Sequence, residues 1–415
     1  MQTEYLIIGA GPAGTWAIKG IRQEDQAKKI TIVGEQPYCA YSLPLLTKGY
    51  IQCRFKEEDL FLVEEDFYKK NGAVFLSSRR VVEADLKEQR VVLDNGAEIR
   101  YEKLLIATGG RPRRLSVPNS DMERIYYLRT LDDSKGIKAA TKTATQAIVV
   151  GGSFIGVELA VALREVGLSV KLVMLERYIW ETLLPEAVGK YLMEKLIEGG
   201  VEVFPEEKVI GFEGRDGKAT ALRTESGKVF EGDLFGIGVG IKLNTEFLKE
   251  TQVMIERGIR TNEFLETNVA GVFAAGDVAE FDDVILGEKR LVGHIENAQF
   301  QGYTAGRNMA GAGIKYSRVT AYDSAVFGIP LIFVGALESG KDFWIRGKEG
   351  KPPQGCFAVK EGRIVGGVLI KPRGKEVKAL RELIENQDID ISKFEEELKN
   401  PDVDLLTLLN RIKLT

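Results

Sequence analysis

Ala147-Ile-Val-Val-Gly-Gly-Ser-Phe-Ile-Gly-Val-Glu158 decides how the rest of the chain is read: an apolar run of strand length, a glycine turn and the opening of a helix. A strand that ends in closely spaced glycines and runs into a helix leaves backbone N–H groups and a positive dipole end facing outward, where a pyrophosphate docks. Gly151 and Gly156 fit the Gly-x-Gly-x-x-Gly spacing, whereas Ser153 holds the middle position, where a missing side chain lets the backbone approach the phosphates. Taken alone, such a turn serves packing as readily as nucleotide binding.

The flanks add weight. An amphipathic helix runs on to about Val166, and the next strand, Val170-Lys-Leu-Val-Met-Leu-Glu176, ends in an acid 20 residues past Gly156. The same arrangement opens the chain. Tyr5-Leu-Ile-Ile-Gly9-Ala-Gly11-Pro-Ala-Gly14 carries all three glycines, a helix-like stretch follows to about Gln26, and Ile30-Thr-Ile-Val-Gly-Glu35 places an acid 21 residues past Gly14. An acid at that distance takes the ribose hydroxyls of an adenosine. The fingerprint therefore occurs twice.

Between the two copies, Pro37-Tyr-Cys-Ala-Tyr-Ser-Leu-Pro-Leu-Leu-Thr-Lys48 is an irregular loop suited to flooring an aromatic ring. Residues 73 to 106 alternate apolar and polar in two or three segments, Asn95-Gly96 signals a hairpin, and Leu104-Leu-Ile-Ala-Thr108-Gly-Gly110 is another apolar strand meeting a glycine turn. Arg111-Pro-Arg-Arg reads as a linker. Beyond the second fingerprint come Val201-Glu-Val-Phe, a polar hairpin region to about residue 230, and Leu234-Phe-Gly-Ile-Gly-Val-Gly240. Asn268-Val-Ala-Gly-Val-Phe-Ala-Ala-Gly276-Asp277 reads as an apolar strand ending in an acid just before a helix, where it serves as a cap or as an acceptor for ribitol or ribose hydroxyls. His294-Ile-Glu-Asn-Ala-Gln opens a helix to about Ala310 that is rich in small residues. From Thr320 short strands, Leu331-Ile-Phe-Val, Phe357-Ala-Val and Ile364-Val-Gly-Gly-Val, and then a charged helical region after Lys375 read as a third domain.

Composition narrows the function. At 415 residues the chain is too long for one core. With 44% hydrophobic and 28% charged residues and no apolar run of spanning length, it reads as a globular protein without a membrane span. A net charge of -4 argues against nucleic acid as the partner. His294 as the single histidine excludes a multi-histidine metal site, and Cys39, Cys53 and Cys356 form neither a C-x-x-C pair nor a metal-like cluster. The first strand begins almost at once, with no basic and apolar leader, so the cytoplasm is expected.

Two fingerprints separated by a Thr-Gly-Gly strand, with a late Gly-Asp, resemble the two-dinucleotide-binding flavoproteins, the pyridine nucleotide–disulfide oxidoreductases. The resemblance covers roughly residues 4 to 310. It implies an α/β fold with two Rossmann-like dinucleotide-binding domains plus a C-terminal α+β interface domain. Residues 1–112 and 245–319 would bind FAD, residues 113–244 would bind NAD(P)H, and residues 320–415 would form the third domain. On the FAD side it implies Gly9, Gly11, Pro12, Ala13, Gly14, Glu35, Lys48, Val81, Thr108, Gly109, Arg129, Asp277 and His294. For NAD it implies Gly151, Gly152, Phe154, Ile155, Gly156, Glu158, Glu176 and Gly240. A carboxylate at Glu176 favours NADH over NADPH, a preference that Arg177 beside it softens.

Within the family, Tyr41-Ser-Leu-Pro-Leu-Leu-Thr-Lys48 is similar to the Tyr-x-Arg-Pro-x-Leu-Ser-Lys loop of ferredoxin, putidaredoxin and rubredoxin reductases and of apoptosis-inducing factor, with Leu43 in place of the arginine. That branch lacks a redox disulfide and pairs the lysine with a glutamate next to flavin N5, which here implies Lys48 and Glu158 as the catalytic pair. His294-Ile-Glu-Asn-Ala is similar to the segment opening the helix under the flavin in apoptosis-inducing factor and monodehydroascorbate reductases. Tyr322-Asp-Ser324 matches an aromatic-Trp-Ser motif with Asp323 in place of tryptophan, so a shielding ring is absent or supplied elsewhere.

The expectation is an FAD-dependent NADH oxidoreductase whose acceptor is open among rubredoxin, ferredoxin, a quinone, dioxygen or another small oxidant. A homodimer is also left open. Two alternatives stand beside it: a coenzyme A disulfide or polysulfide reductase using Cys39, and an NADH-sensing flavoprotein that acts by binding.

Overall fold

A computed structural model of the chain describes residues 1–388 and 390–414. They divide into two compact units. The first comprises Met1–Ser42, Glu57–Arg111 and Ile241–Arg318. Its strands Ala73–Leu76, Ile30–Val33, Gln2–Ile8 and Glu98–Ile106 lie side by side in parallel, with Val272–Ala274 added to the last of these. The run Leu6-Ile7-Ile8 is buried on both faces of the sheet, as parallel strands require. Ile7 meets Ala17, Ile18 and Ile21 of the Pro12–Glu24 helix, while Leu6 and Ile8 share the opposite core with Leu104 and Ile106. Strands Arg90–Leu93 and Val81–Asp85 extend the sheet antiparallel, the first joined to Glu98–Ile106 by the expected turn, with Gly96 at φ +82.

Helix Pro12–Glu24 packs on helix Ile295–Met309 with almost nothing between the backbones. A Cβ added at Gly302 would lie 2.0 Å from the carbonyl oxygen of Ala13, and one at Gly306 would lie 2.1 Å from that of Ala17. The small residues of the second helix are therefore a contact requirement. The first helix ends at Glu24, two residues before Gln26, because Asp25 turns extended and its carboxylate accepts the N–H groups of Ala27 and Lys28.

The apolar stretch from residue 268 to 281 is not one strand leading into a helix. Val272–Ala274 pairs with Glu98–Ile106 and then stops, Gly276–Val278 forms a single tight turn, and Ala279–Asp283 joins a separate small sheet. The break comes at Gly276, φ +79, whose N–H is taken by the side chain of Gln301 instead of a neighbouring strand.

The second unit comprises Leu43–Lys56, Pro112–Gly240 and the chain from Val319 onward. Five parallel strands run in the order Val201–Phe204, Ser169–Val173, Gln146–Val150, Leu234–Ile237 and Ile125–Tyr127. Helix Phe154–Glu165 packs against them. The polar region before residue 230 is a three-stranded antiparallel sheet, Val209–Arg215, Lys218–Thr224 and Val229–Glu231. The C-terminal region builds a five-stranded antiparallel sheet in the order Ala321–Val326, Ile329–Gly335, Arg363–Ile370, Gly355–Lys360, Asp342–Arg346. Asp323 interrupts the first of these strands with a charge, and the last has only Phe343-Trp-Ile345 between its charged ends Asp342 and Arg346, which leaves each apolar run short.

Arg346, 1% exposed, fastens the final helices to this sheet. Its guanidinium donates to the carbonyls of Leu398 and Asn400 at 2.8 Å and Val403 at 2.7 Å, and pairs with Glu376 at 3.3 Å. No helix among the described residues is long and apolar enough to cross a membrane.

Candidate functional site

The two glycine turns are the same backbone built twice. Gly9 has φ +112 and Gly151 φ +111, and a Cβ would lie 2.2 Å from the Ala107 carbonyl oxygen in one and 2.3 Å from that of Gly238 in the other. Only glycine suits either position. The middle positions differ in kind. Gly11 (φ -75, ψ -170) and Ser153 (φ -98, ψ -171) are both N-cap residues in extended backbone that any residue adopts. Ser153 therefore costs no backbone strain at this position.

In the first unit, helix Pro12–Glu24 begins with Pro12 and without a side-chain cap, so the N–H groups at Ala13 and Gly14 keep the positive end open. A Cβ placed on Gly11 would meet nothing within 4 Å. Glu35 is exposed just past Ile30–Val33. Val81 is buried at the start of its strand. Thr108 and Gly109 are tied to Asn244: the Thr108 hydroxyl donates to the Asn244 carbonyl at 2.7 Å, and the Asn244 backbone N–H donates to the Gly109 carbonyl at 3.0 Å. Asp277 lies in the Gly276–Val278 turn, next to a buried Gln301 whose Nε2 has no hydrogen-bond partner among the described residues. His294 is the N-cap of Ile295–Met309, its Nδ1 accepting from the Asn297 N–H at 3.3 Å. Open glycine turn, uncapped helix start, strand-end carboxylate and orphaned amide donor fit an adenosine pyrophosphate with a polyol chain.

In the second unit, Gly152 donates its N–H to Glu176 at 3.2 Å, which holds that carboxylate against the turn. Arg177 does not stand free beside it. Its Nε donates to Glu181 at 2.6 Å and its backbone N–H at 2.8 Å. Phe154 packs on Trp180 and Phe333 and edge-on to Tyr322, which stacks on Phe333 at 5.0 Å. Ile155 is exposed on the same helix, and Gly240 closes the turn after Leu234–Ile237 at φ +94.

Glu158 is the chemically loaded residue of this unit. It is 8% exposed, one turn into helix Phe154–Glu165. The Thr47 hydroxyl donates to it at 2.8 Å, the Ser324 hydroxyl at 2.9 Å, and Lys48 Nζ lies 3.5 Å away. Burial pushes the Glu158 carboxyl above the usual carboxylate range, opposed by the Lys48 charge and then by the two hydroxyls. Lys48 also pairs with Asp323 at 3.1 Å and donates to the Asp323 carbonyl oxygen. Its turn, Leu46–Tyr50, kinks at Gly49, where a Cβ would strike the Phe55 ring at 2.3 Å. Lys48 and Glu158 are thus in contact, and Thr47, Ser324 and Asp323 complete a cluster that the sequence reading did not assemble. The signals for it were a hydroxyl beside Lys48 and the Tyr322-Asp-Ser324 motif.

Arg129 precedes helix Leu131–Ala140, and its backbone N–H donates to Asp133 at 3.0 Å within the capping arrangement of Thr130. Cys39 donates weakly to the Glu65 carbonyl, and burial followed by Glu65 pushes its thiol up, which opposes a thiolate nucleophile. Burial pushes Cys356 up to about 12, and Cys53 is exposed.

The family described as pyridine nucleotide-disulphide oxidoreductase matches residues 3–302. Apoptosis-inducing factor 3 of Homo sapiens is 31% identical over 83% of the chain, which spans 57% of that longer protein. The NADH-rubredoxin oxidoreductase of Clostridium acetobutylicum is 31% identical over 82% of the chain and 83% of its own length. Among solved structures, the covalent putidaredoxin reductase–putidaredoxin complex has a chain that matches with a TM-score of 0.93 at 26% identity, covering 100% of this chain and 99% of that one.

Proposed function

The chain belongs to the pyridine nucleotide-disulphide oxidoreductase family, and from that premise we propose that it takes hydride from NADH onto FAD and passes electrons to a small iron–sulfur or rubredoxin-type protein. FAD, when bound, supplies the ring that accepts the hydride and releases electrons one at a time. Everything else is the work of the chain's own residues.

The backbone N–H groups after Gly9 hold the FAD pyrophosphate, Glu35 its ribose, and Thr108, Gly109 and Asp277 the remaining polar edge. The turn Gly151–Gly156 holds the pyrophosphate of NADH. Lys48 fixes a positive charge whose attraction grows as the ring it serves gains electrons, and Glu158 fixes Lys48. The observation that carries the reading is this buried cluster: two hydroxyls and an ammonium converge on one carboxylate, directly after the second nucleotide turn. A buried charge of that kind is costly unless it has a task or full pairing.

Two features favour NADH over NADPH. Glu176 at the strand end accepts from a ribose 2′-hydroxyl and repels a 2′-phosphate, and Glu181 occupies the guanidinium of Arg177, the cation next to Glu176 in the chain. The putidaredoxin and rubredoxin partners named for the matched proteins supply the acceptor class. Three free thiols suit work in the reducing cytoplasm.

The test is anaerobic reduction of the FAD-loaded protein by NADH and by NADPH, then reoxidation with rubredoxin, ferredoxin, a quinone and dioxygen in turn. Preference for NADH and for an iron–sulfur or rubredoxin acceptor supports the reading. Turnover with dioxygen or quinone alone overturns its second half.

A further inference from the structure

Strand Ala321–Val326 reaches the Lys48 and Glu158 pair from two directions at once. Side chains alternate along a strand, so Asp323 and Ser324 point oppositely: Asp323 is 66% exposed and Ser324 is buried. Ser324 gives its hydroxyl to Glu158 Oε1 at 2.9 Å. Asp323 grips Lys48 with its Oδ2 at 3.1 Å and with its carbonyl oxygen, while Glu158 Oε1 lies at 3.5 Å from the same nitrogen. The ammonium therefore sits nearer the exposed carboxylate than the buried one.

We propose that Asp323 is a positioning residue that divides Lys48 between two carboxylates and so sets the proton occupancy of Glu158. The inference rests on the reading of Lys48 and Glu158 as the pair that serves hydride transfer. One ammonium cannot neutralise two carboxylates, and the shortfall falls on the buried one, where desolvation already favours the neutral form. Removing the Asp323 charge acts in one direction by two routes: a negative charge near Glu158 disappears, and Lys48 is released toward Glu158. Both favour ionised Glu158. Removing the Ser324 hydroxyl acts in the opposite direction, because it withdraws a donor from the ionised form.

The other ionisable groups on the elements around Glu158 are few. Strand Ser169–Val173 carries Lys171, strand Val201–Phe204 carries Glu202, strand Ala321–Val326 adds Tyr322, and the turn Leu46–Tyr50 adds the buried Tyr50. The strands Gln146–Val150 and Leu234–Ile237 carry none. On the helix itself Arg164 donates to the Leu168 carbonyl, and Glu165 pairs with Arg54 at 3.0 Å. Lys48 is the charged group that touches Glu158, and Asp323 reaches it through Lys48.

The experiment is a pH titration of the FAD-loaded protein by difference infrared spectroscopy, with the Glu158 carboxyl band identified as the one lost in Glu158→Gln. Asp323→Asn lowers the midpoint by about one pH unit, and Ser324→Ala raises it by a similar amount. In a Lys48→Met background the Asp323→Asn shift falls to half or less. Asp323→Ser gives the same sign should Asp323→Asn not be recovered folded. A midpoint unmoved in the neutral Asp323 variants, or an Asp323 shift undiminished without Lys48, overturns the proposal. Failure of NADH to bleach the flavin while these shifts hold overturns the functional reading instead and leaves the Asp323 assignment intact.

Discussion

Ser324 and Glu158 lie 166 residues apart in sequence, yet the serine hydroxyl donates to the glutamate carboxylate at 2.9 Å in a buried contact. The C-terminal sheet thus supplies a donor to the helix that follows the second nucleotide turn. Ser324→Ala leaves a buried carboxylate short of one donor and is expected to cost about 1–3 kcal/mol at neutral pH. Urea unfolding with an unchanged m-value measures that cost.

The pH dependence of stability follows from Glu158. Its folded carboxyl ionises above the ordinary 4.5, so between that value and its folded pKa the native state binds more protons than the unfolded chain. Stability from this group is present below 4.5, falls as pH rises through the folded pKa, and is flat beyond it. Glu158→Gln removes the fall. The difference between variant and wild type therefore moves in favour of the variant as pH rises through that window, in unfolding curves recorded at a series of pH values.

Coenzyme choice is expected to respond to Glu181, which touches neither glycine turn. Glu181→Ala releases Arg177 from its contacts at 2.6 and 2.8 Å. Exposed pairs are weak, so the predicted rise in kcat/KM for NADPH is about threefold to tenfold, with that for NADH within about twofold. Steady-state kinetics with both coenzymes reads the ratio directly.

Gly302→Ala places a methyl where the Ala13 carbonyl already lies, 2.0 Å from the built Cβ. The helices must separate, at a cost of about 1–3 kcal/mol. Because helix Pro12–Glu24 begins at the first glycine turn, FAD content after dialysis is expected to fall together with the melting temperature.

Arg346→Leu removes the cation that fastens three C-terminal carbonyls. Breaking a buried pair by deleting one partner costs about 3–5 kcal/mol, since Glu376 loses its cation and keeps the Arg373 N–H at 2.7 Å. Faster hydrogen exchange confined to the helices Glu376–Glu385, Glu395–Lys399 and Leu405–Ile412 is the expected signature.

Much of the backbone geometry at the candidate site was legible locally. The glycine spacings at Gly9 and Gly151, with the acids Glu35 and Glu176, are short-range patterns, and the turns they announce were found in place. The pairing of Lys48 with Glu158 came from family resemblance, since no local pattern links residues so far apart. Thr47, Asp323 and Ser324 were harder to see: their contacts span 111, 275 and 166 residues, and a polar residue in a strand gives no sign of its distant partner. The apolar stretch before Asp277 misled for a different reason. Hydrophobicity continues across Gly276 while the backbone breaks there, because the deciding hydrogen bond goes to Gln301. The strand Ala321–Val326 escaped notice because Asp323, which serves Lys48, breaks its apolar pattern, and Asp342–Arg346 because only three apolar residues lie between its charged ends.

The most direct measurement is stopped-flow mixing of the FAD-loaded protein with NADH under anaerobic conditions, following the flavin absorbance, for wild type and Glu158→Ala. The account predicts rapid bleaching by NADH, at least about tenfold faster than by NADPH, and a rate lowered by about tenfold to a hundredfold in the variant. A protein that takes up no FAD, or a Glu158→Ala variant that is reduced as fast as wild type with unchanged NADH affinity, would contradict it.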